Sequence, residues 1–547
     1  MMKFEKLTAE FLVRQTAAHN AEKRGHATLD DDSENGEPPG QWVGRGLSAL
    51  SRPICTLLTD LEKSMWRIEA GSPVSDDQMK ALFLLGLHPN TDKIVKHLIS
   101  QGIGKAAAKS TVRLGRPFRV SDASTELRWR LAATYRGHNL NQGEHWNAAI
   151  DDQLRAEIQT TIARTVFTEL HGREPADDHE LSKFIARGSH ESTTSVAGYH
   201  LTFTPVKSVS VLWALAPLEV AHRIEQCHNR AVADAFKYLD DHTAFSRMGA
   251  QGVAQIDTEG FIAAQFYQDG RADDPNLCTQ IAVSNKVRAV AADGIPRWLA
   301  LDGRHLHKES VAASELYNSR LEAHLIDVLG LSFAERANTE RGKRPVREIS
   351  GISPDLCKLL SSRRNAIKPR YDELTNHFQL KHGREPTTFE SFALSRRAAL
   401  ETRQPRHEPR SPAQQRAHWR DQATEQLGGQ AKLNAMLGDA LTARHRPPPP
   451  PPITPEWIQA QAAAVIETVA ASRSAWQRTH VFAEAQRRVR AEGMAADPQV
   501  AVAITDAALQ DPHSVAQARG HDTDLDRPRA LRQLFSRSPA STTPPPC

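Results

Sequence analysis

Cysteine is scarce in this chain, with five residues at positions 55, 227, 278, 357 and 547 and no Cys-x-x-Cys pair. Such scattered thiols exclude a disulfide framework and imply a reduced, cytoplasmic protein. Aromatic residues make up 6% of the 547 positions, tyrosine supplies only six of them, and the first is Tyr135. Long apolar runs are missing: nothing nears the ~18 residues of a membrane span, so no membrane partner is expected. The N-terminal MMKFEKLTAEFLVRQ has neither the apolar core nor the cleavage site of a secretion signal. Gly102-Ile-Gly104-Lys105 fails the spacing of a phosphate-binding loop, so no nucleotide site, ATPase or helicase is expected. An excess of one charge is also lacking. Lys and Arg total 69 against 65 Asp and Glu, for a net charge of +4, so net charge alone makes no case for nucleic acid.

What is present is position-specific. Basic groups recur at Lys343-Arg344-Arg347, Arg363-Arg364-Lys368-Arg370, Arg396-Arg397 and Arg487-Arg488-Arg490; each alone reads as a solvated helix face. Residues 151–187 have a helical pattern, stopped by His171-Gly172-Arg173-Glu174-Pro175, and the same pentapeptide recurs at His382–Pro386. Tyr199–Thr204 alternates as a strand does. Tyr317, Leu321, Leu325 and Val328 mark one helix face ended by Gly330. Ser353-Pro354, Thr387 with Glu390, and Thr454-Pro455 are helix starts. Pro447–Pro452 is a polyproline spacer.

The chain is organised around Gly260–Val287, where two apolar runs, Phe261–Phe266 and Leu277–Val287, flank a polar turn. Alternation puts Cys278, Gln280 and Ala282 on one face of the second strand, with Tyr267 expected beside them on the first. With Gly198–Leu212 (GYHLTFTPVKSVSVL), Arg271–Leu277, Ser284–Val287, Trp298–Gly303 and Gly342–Gly351 in that order, the sequence resembles the TrwC/MobF-type conjugative relaxases. The likeness covers roughly residues 1–410 and continues more weakly to about 515.

The resemblance implies an α+β fold: a central, mainly antiparallel sheet flanked by helices, then a helical extension and a disordered tail. The expected domains are 1–405 (relaxase-like), 406–453 (basic, proline-rich linker), 454–515 (helical extension) and 516–547 (disordered tail). It also implies DNA nicking by a tyrosine hydroxyl, helped by a divalent cation of the Mg or Mn type held by three histidines. Single-stranded or hairpin DNA is the implied partner, with a relaxosome and a coupling protein in plasmid or mobile-element conjugation.

This chain departs from that pattern at each chemical position. The family's metal ligands map to Tyr267, Cys278 and Gln280; its nucleophiles map near Ala9, Phe11, Asp31 and Asp32; its acidic helper maps to His200. Tyr and Gln are weak ligands beside imidazole, and neither phenylalanine nor carboxylate can attack phosphorus as a tyrosine does. No resident cofactor is therefore expected. Lys207, Arg271, Lys286, Lys343, Arg344 and Arg347 stand at family positions as candidates for DNA contact, with Asn285 beside them. Three readings follow: a relaxase-family pseudoenzyme that still binds DNA, an active transesterase with a relocated nucleophile, or a remnant of a mobile-element relaxase-helicase.

Overall fold

A computed structural model describes residues 1–8, 40–51, 66–118, 122–142, 150–189, 195–249, 252–268, 274–290, 294–336, 344–402, 411–442 and 451–512, with residues 148 and 514. At its centre is a five-stranded sheet ordered β1-β3-β7-β6-β2. The strands are β1 (Met2–Thr8), β2 (Gln41–Val43), β3 (Val196–Phe203), β6 (Ala263–Gln268) and β7 (Cys278–Ser284). Every neighbouring pair in it is antiparallel. The intervening β4 (Phe245–Met248) and β5 (Ala254–Asp257) pair with each other, as do β8 (Lys286–Val290) with β9 (Pro296–Ala300) and β10 (Phe333–Glu335) with β11 (Arg347–Ile349). The apolar run expected as one strand to Val287 breaks at Asn285. Its side-chain amide donates to the Val196 carbonyl at 2.6 Å and accepts from the Leu301 backbone at 3.0 Å, so the chain leaves the central sheet there.

Alternation divides the sheet into two faces. Tyr199, Leu201, Phe203, Ala263, Ile281 and Val283 enter the main core, under helices Lys207–Leu215, Leu218–Thr243 and Gly303–Leu329. The last two carry Ala231, Ala235, Leu239, Tyr317, Leu321 and Leu325 into that core at helical spacing. Opposite, Leu7, Trp42, Phe83, Ala264 and Ala282 form a second, smaller core. It is covered by the short helices Leu47–Leu50 and Asp76–Met79 and the π-helical turn Lys80–Leu84. Gly198 is required in β3, because a Cβ there would lie 2.3 Å from the Val283 carbonyl oxygen.

Helices Asp122–Asn141, Asp152–His171 and Asp178–Ser189 form a three-helix unit with its own core of Leu127, Leu131, Ala163, Val166 and Leu181. The expected stops hold: Gly172, Gly330 and Gly383 all end helices in the left-handed conformation. Ser353 and Thr454 cap their helices, and Thr387 with Glu390 closes a capping box.

The linker expected at 406–453 is corrected by the structure. Helices Pro412–Leu427 and Gln430–Leu441 lie within it and send Trp419, Ala423, Leu433, Leu437 and Ala440 into the main core. Two arginines of this stretch have a structural task. Arg416 donates to the carbonyls of Trp213 at 2.8 Å and Ala216 at 2.5 Å, and Arg420 to that of Leu215. These are the unpaired carbonyls at a helix C-terminus, where cations are favoured. Beyond Ile453, helices Pro455–Ala470, Arg478–Ala491 and Pro498–Leu509 share a core of Val465, Phe482, Val489 and Ile504. The tail expected at 516–547 lies outside the described residues. No helix among the described residues is long and apolar enough to cross a membrane.

Candidate functional site

The site is built on the polar end of the sheet face opposite the main core. His200 stands opposite Ala282, and Thr202 opposite Gln280, across β3 and β7. Directly paired residues on antiparallel strands project to the same side, so His200, Cys278 and Gln280 share this face. His200 Nε2 lies 2.9 Å from Gln280 Oε1, and Thr204 donates from Oγ1 to Cys278 Sγ at 3.7 Å. Glu5 of β1 pairs with His200, and Phe266 of β6 with Gln280. The chain returns to the sheet at Gly40, where a Cβ would lie 2.3 Å from the Phe266 ring.

Tyr267 is not part of this group, which corrects the three-residue site read from the motif. It pairs with Thr279, while Gln268 pairs with Cys278 and Phe266 with Gln280. Tyr267 therefore projects to the opposite face, where its hydroxyl accepts from Gln265 Nε2 at 3.0 Å. Burial raises its pKa, against the opposing effect of that amide. The motif spacing was right and the face was wrong: with side-chain period two, one residue of register decides which side a position serves. The positions that the register brings beside Cys278 and Gln280 are Gln268 and Phe266, and only knowledge of the pairing could have found them.

The remaining donors do not fit a three-imidazole cation site. Cys278, Gln280 and His200 offer one thiol, one amide and one imidazole, and the amide oxygen is already within hydrogen-bonding distance of that imidazole. Among the described residues, no group of three or more His, Cys, Asp or Glu side chains is placed to hold a metal ion. Ala9, Phe11, Asp31 and Asp32 lie outside the described residues.

The basic candidates are not gathered at this face. Lys207 Nζ donates to the Pro275 carbonyl at 2.7 Å, and burial lowers its pKa against the pull of Asp274. Lys286 is buried, its Nζ 4.3 Å from the centroid of Phe118 and donating to the Arg116 carbonyl; burial brings its pKa down to about 8. Arg347 pairs with Glu322 at 3.0 Å and donates to the Phe333 carbonyl at 3.1 Å. Arg344 pairs with Glu484 of the C-terminal helices. These two arginines belong to a chain of ion pairs that continues through Arg487–Glu315 (3.0 Å), Arg490–Glu315 (2.8 Å) and Arg490–Glu322 (3.2 Å). The segment read as a phosphate contact thus docks the C-terminal helices against helix Gly303–Leu329. Arg271 and Lys343 lie outside the described residues.

Under the main-core face lies a second polar group that sequence inspection did not single out. His228 is fully buried, with Nδ1 2.9 Å from the Tyr317 hydroxyl and Nε2 2.9 Å from Thr279 Oγ1. Burial lowers its pKa to about 3 and raises that of Tyr317. Its only sequence signal was a histidine in an otherwise apolar stripe of helix Leu218–Thr243.

The model of the TrwC relaxase family matches residues 8–426. The chain belongs to the TrwC relaxase family. No curated protein matches it. Among solved structures it is similar to conjugative relaxase TrwC in complex with oriT DNA, metal-free, at 15% identity over 78% of this chain and 98% of that one, with a TM-score of 0.43. A copper-bound complex of the same relaxase shows 16% identity over the same shares and a TM-score of 0.41. A TrwC complex with a 27-mer DNA carrying the recognition hairpin and cleavage site shows 16% identity and a TM-score of 0.38, again with 78% and 98% coverage.

Proposed function

We propose that this TrwC-family chain binds single-stranded or hairpin DNA of the kind processed in conjugation, and does not nick it. Membership of the family supports the DNA-processing role. The observation that carries the loss of nicking is the donor set on the site face: His200 within hydrogen-bonding distance of Gln280, Cys278 beside Thr204, and Tyr267 on the other side of the sheet. A cation polarising a phosphate needs several strong, convergent ligands, and a thiol, an amide and one engaged imidazole do not supply them.

A relocated nucleophile is the weaker reading. Tyr317 and Tyr199 are buried, and the Tyr238 hydroxyl donates to Glu309 at 2.8 Å. For both Tyr238 and Tyr267 burial raises the hydroxyl pKa, the reverse of nucleophile activation. We further propose a cytoplasmic site of action with the relaxosome and coupling protein of a plasmid or mobile element, and a relaxase-like body comprising both the 1–405 segment and the helices that follow it to Leu441.

The test is incubation of the full chain with a panel of hairpin oligonucleotides carrying single-stranded arms, with magnesium or manganese. Binding is read by fluorescence anisotropy at several salt concentrations, and cleavage on denaturing gels. Salt-dependent binding without a covalent adduct is expected. An adduct overturns the loss of nicking; absence of binding at low salt favours the remnant.

A further inference from the structure

The repeated pentapeptide builds one joint twice. Gly172 (φ 66°) and Gly383 (φ 65°) each end a helix in the left-handed region. Arg173 lies 5.4 Å from the centroid of Phe167, and Arg384 lies 5.2 Å from that of Phe378. On the same rings sit His171 at 4.2 Å and His382 at 4.3 Å. Each arginine then grips a glutamate of the following helix with both terminal nitrogens: Glu180 at 2.9 and 2.6 Å, Glu390 at 2.8 Å twice. Both joints fold two helices into a hairpin.

The hairpins differ in what remains after internal contacts are made. Helix Asp122–Asn141 packs on the first and buries its Ala163, Val166 and Leu181, leaving Leu170 exposed. The second, Ser362–Glu401, buries Leu374 and Ala398 and leaves Leu380 87% and Phe392 69% exposed. Its acids are mostly consumed: Asp372 by Lys368, Glu373 by Arg370, Glu390 by Arg384, and Glu401 by Arg370 and Arg397. Arg364, Lys381 and Arg396 stand exposed on the same hairpin. Phe392 and Arg396 are four positions apart on one helix, so they share a face. The base of the hairpin is held at the β6–β7 connection, where Asp274 accepts from Ser362 Oγ at 2.8 Å and from the Arg363 backbone at 3.3 Å. Asp274 thus places the hairpin beside the strand that begins with Cys278.

We propose that hairpin Ser362–Glu401 is a contact arm for single-stranded DNA, with Phe392 stacking on a base, Arg396 meeting a phosphate and Asp274 positioning the arm. This rests on the DNA-binding reading above. An exposed aromatic beside surplus cations is what a sequence-tolerant single-strand contact requires. Arg364 and Lys381 add to the attractive field of the same element. The first hairpin has the same joint without an exposed aromatic side chain among its described residues, and serves as the internal control.

The experiment uses the full chain and a fluorescein-labelled oligothymidylate about 20 nucleotides long, enough for at least one single-strand footprint. Anisotropy is measured over a salt series for the unaltered chain, Phe392→Ala, Arg396→Ala, Asp274→Asn and, on the first hairpin, Leu170→Ala. Unchanged circular dichroism confirms folding of these surface variants. Phe392→Ala is expected to weaken binding by about 10-fold, the range of one base–aromatic stack. Arg396→Ala should lower the slope of log K against log salt by about 0.7, the release from one single-strand phosphate. Asp274→Asn should weaken binding without changing that slope, and Leu170→Ala should leave binding unchanged. If the unaltered chain binds and Phe392→Ala and Arg396→Ala bind equally well, the arm is not a contact and the proposal falls alone. If Phe392→Ala instead reduces self-association in sedimentation while DNA binding stays intact, the face is a protein contact and the proposal again falls. If the unaltered chain does not bind at low salt, the DNA-binding reading falls with it.

Discussion

The two faces of strand β7 have had different fates. On one, Thr279, Ile281 and Val283 are fully buried, and Thr279 is tied through His228 to Tyr317. On the other, Cys278 and Gln280 meet polar neighbours, with contacts that include His200 to Gln280 and Thr204 to Cys278. The packed face cannot change without leaving cavities or buried polar groups unpaired. On the site face Cys278 and His200 are buried too, at 6% and 8% exposure, and Gln280 is half-buried, so this face is packed less completely than Thr279, Ile281 and Val283 on the other. The contrast teaches that the packing of the fold and the donor set of the site lie on opposite sides of the same strand.

The sharpest way to break this contrast is to injure each face in turn. His228→Ala, which opens a cavity and strands two buried hydroxyls, should cost about 3–5 kcal/mol by urea denaturation. A loss no larger than that from altering His200 would erase the distinction between the faces.

Rebuilding the site tests the register. Cys278→His with Gln280→His, together with native His200, would put three imidazoles on one face. Added manganese or zinc should then raise the melting temperature, by the equivalent of about 2.7 kcal/mol at a hundredfold excess over Kd. Tyr267→His added to that pair should contribute nothing, since it faces Thr279; Gln268→His should strengthen binding. The reverse outcome would show that the pairing is shifted by one residue.

Acid should act first on two buried histidines, His228 under the main core and His88 beside the Trp66 carbonyl. Burial holds His228 at about 3 and His88 at about 4, both below the ordinary histidine value of 6.5. Above pH 6.5 both are neutral in the folded and unfolded chain and contribute no slope. Between 6.5 and their folded values the unfolded chain binds more protons, so each histidine removes about 1.4 kcal/mol of stability per pH unit as pH falls. Urea midpoints from pH 8 to 5 should be flat at first and then decline; a flat profile throughout would mean that neither histidine is buried neutral.

The smallest effect belongs to the site face. His200→Ala should cost about 1 kcal/mol, the net value of one hydrogen bond, and should leave oligonucleotide affinity within about twofold, a few tenths of a kcal/mol. A larger loss of affinity would make His200 a DNA contact.

Much of this was readable beforehand where its cause is local. The helix ends at Gly172, Gly330 and Gly383 and the starts at Ser353, Thr387 and Thr454 depend on residues within one turn, and they stand where the pattern put them. Burial of Tyr317, Leu321 and Leu325 followed from their helical spacing. The order of motifs identified the family without any contact being known. The misreadings concern partners distant in the chain. Arg344 and Arg347 looked like phosphate ligands until Glu484 and Glu322 were brought to them. Arg416 and Arg420 looked like linker until they met the end of helix Lys207–Leu215.

By itself, then, the order of residues determined the helix ends at Gly172, Gly330 and Gly383, the helix starts at Ser353, Thr387 and Thr454, and the absence of imidazoles at Tyr267, Cys278 and Gln280, because each depends on neighbours or on residue type alone. Only the tertiary structure decided that Tyr267 turns away from Cys278, that Arg344 and Arg347 pair with internal carboxylates, and that Phe392 stays in solvent. Those outcomes depend on strand register and on which elements meet, and neither is encoded within any short stretch of chain.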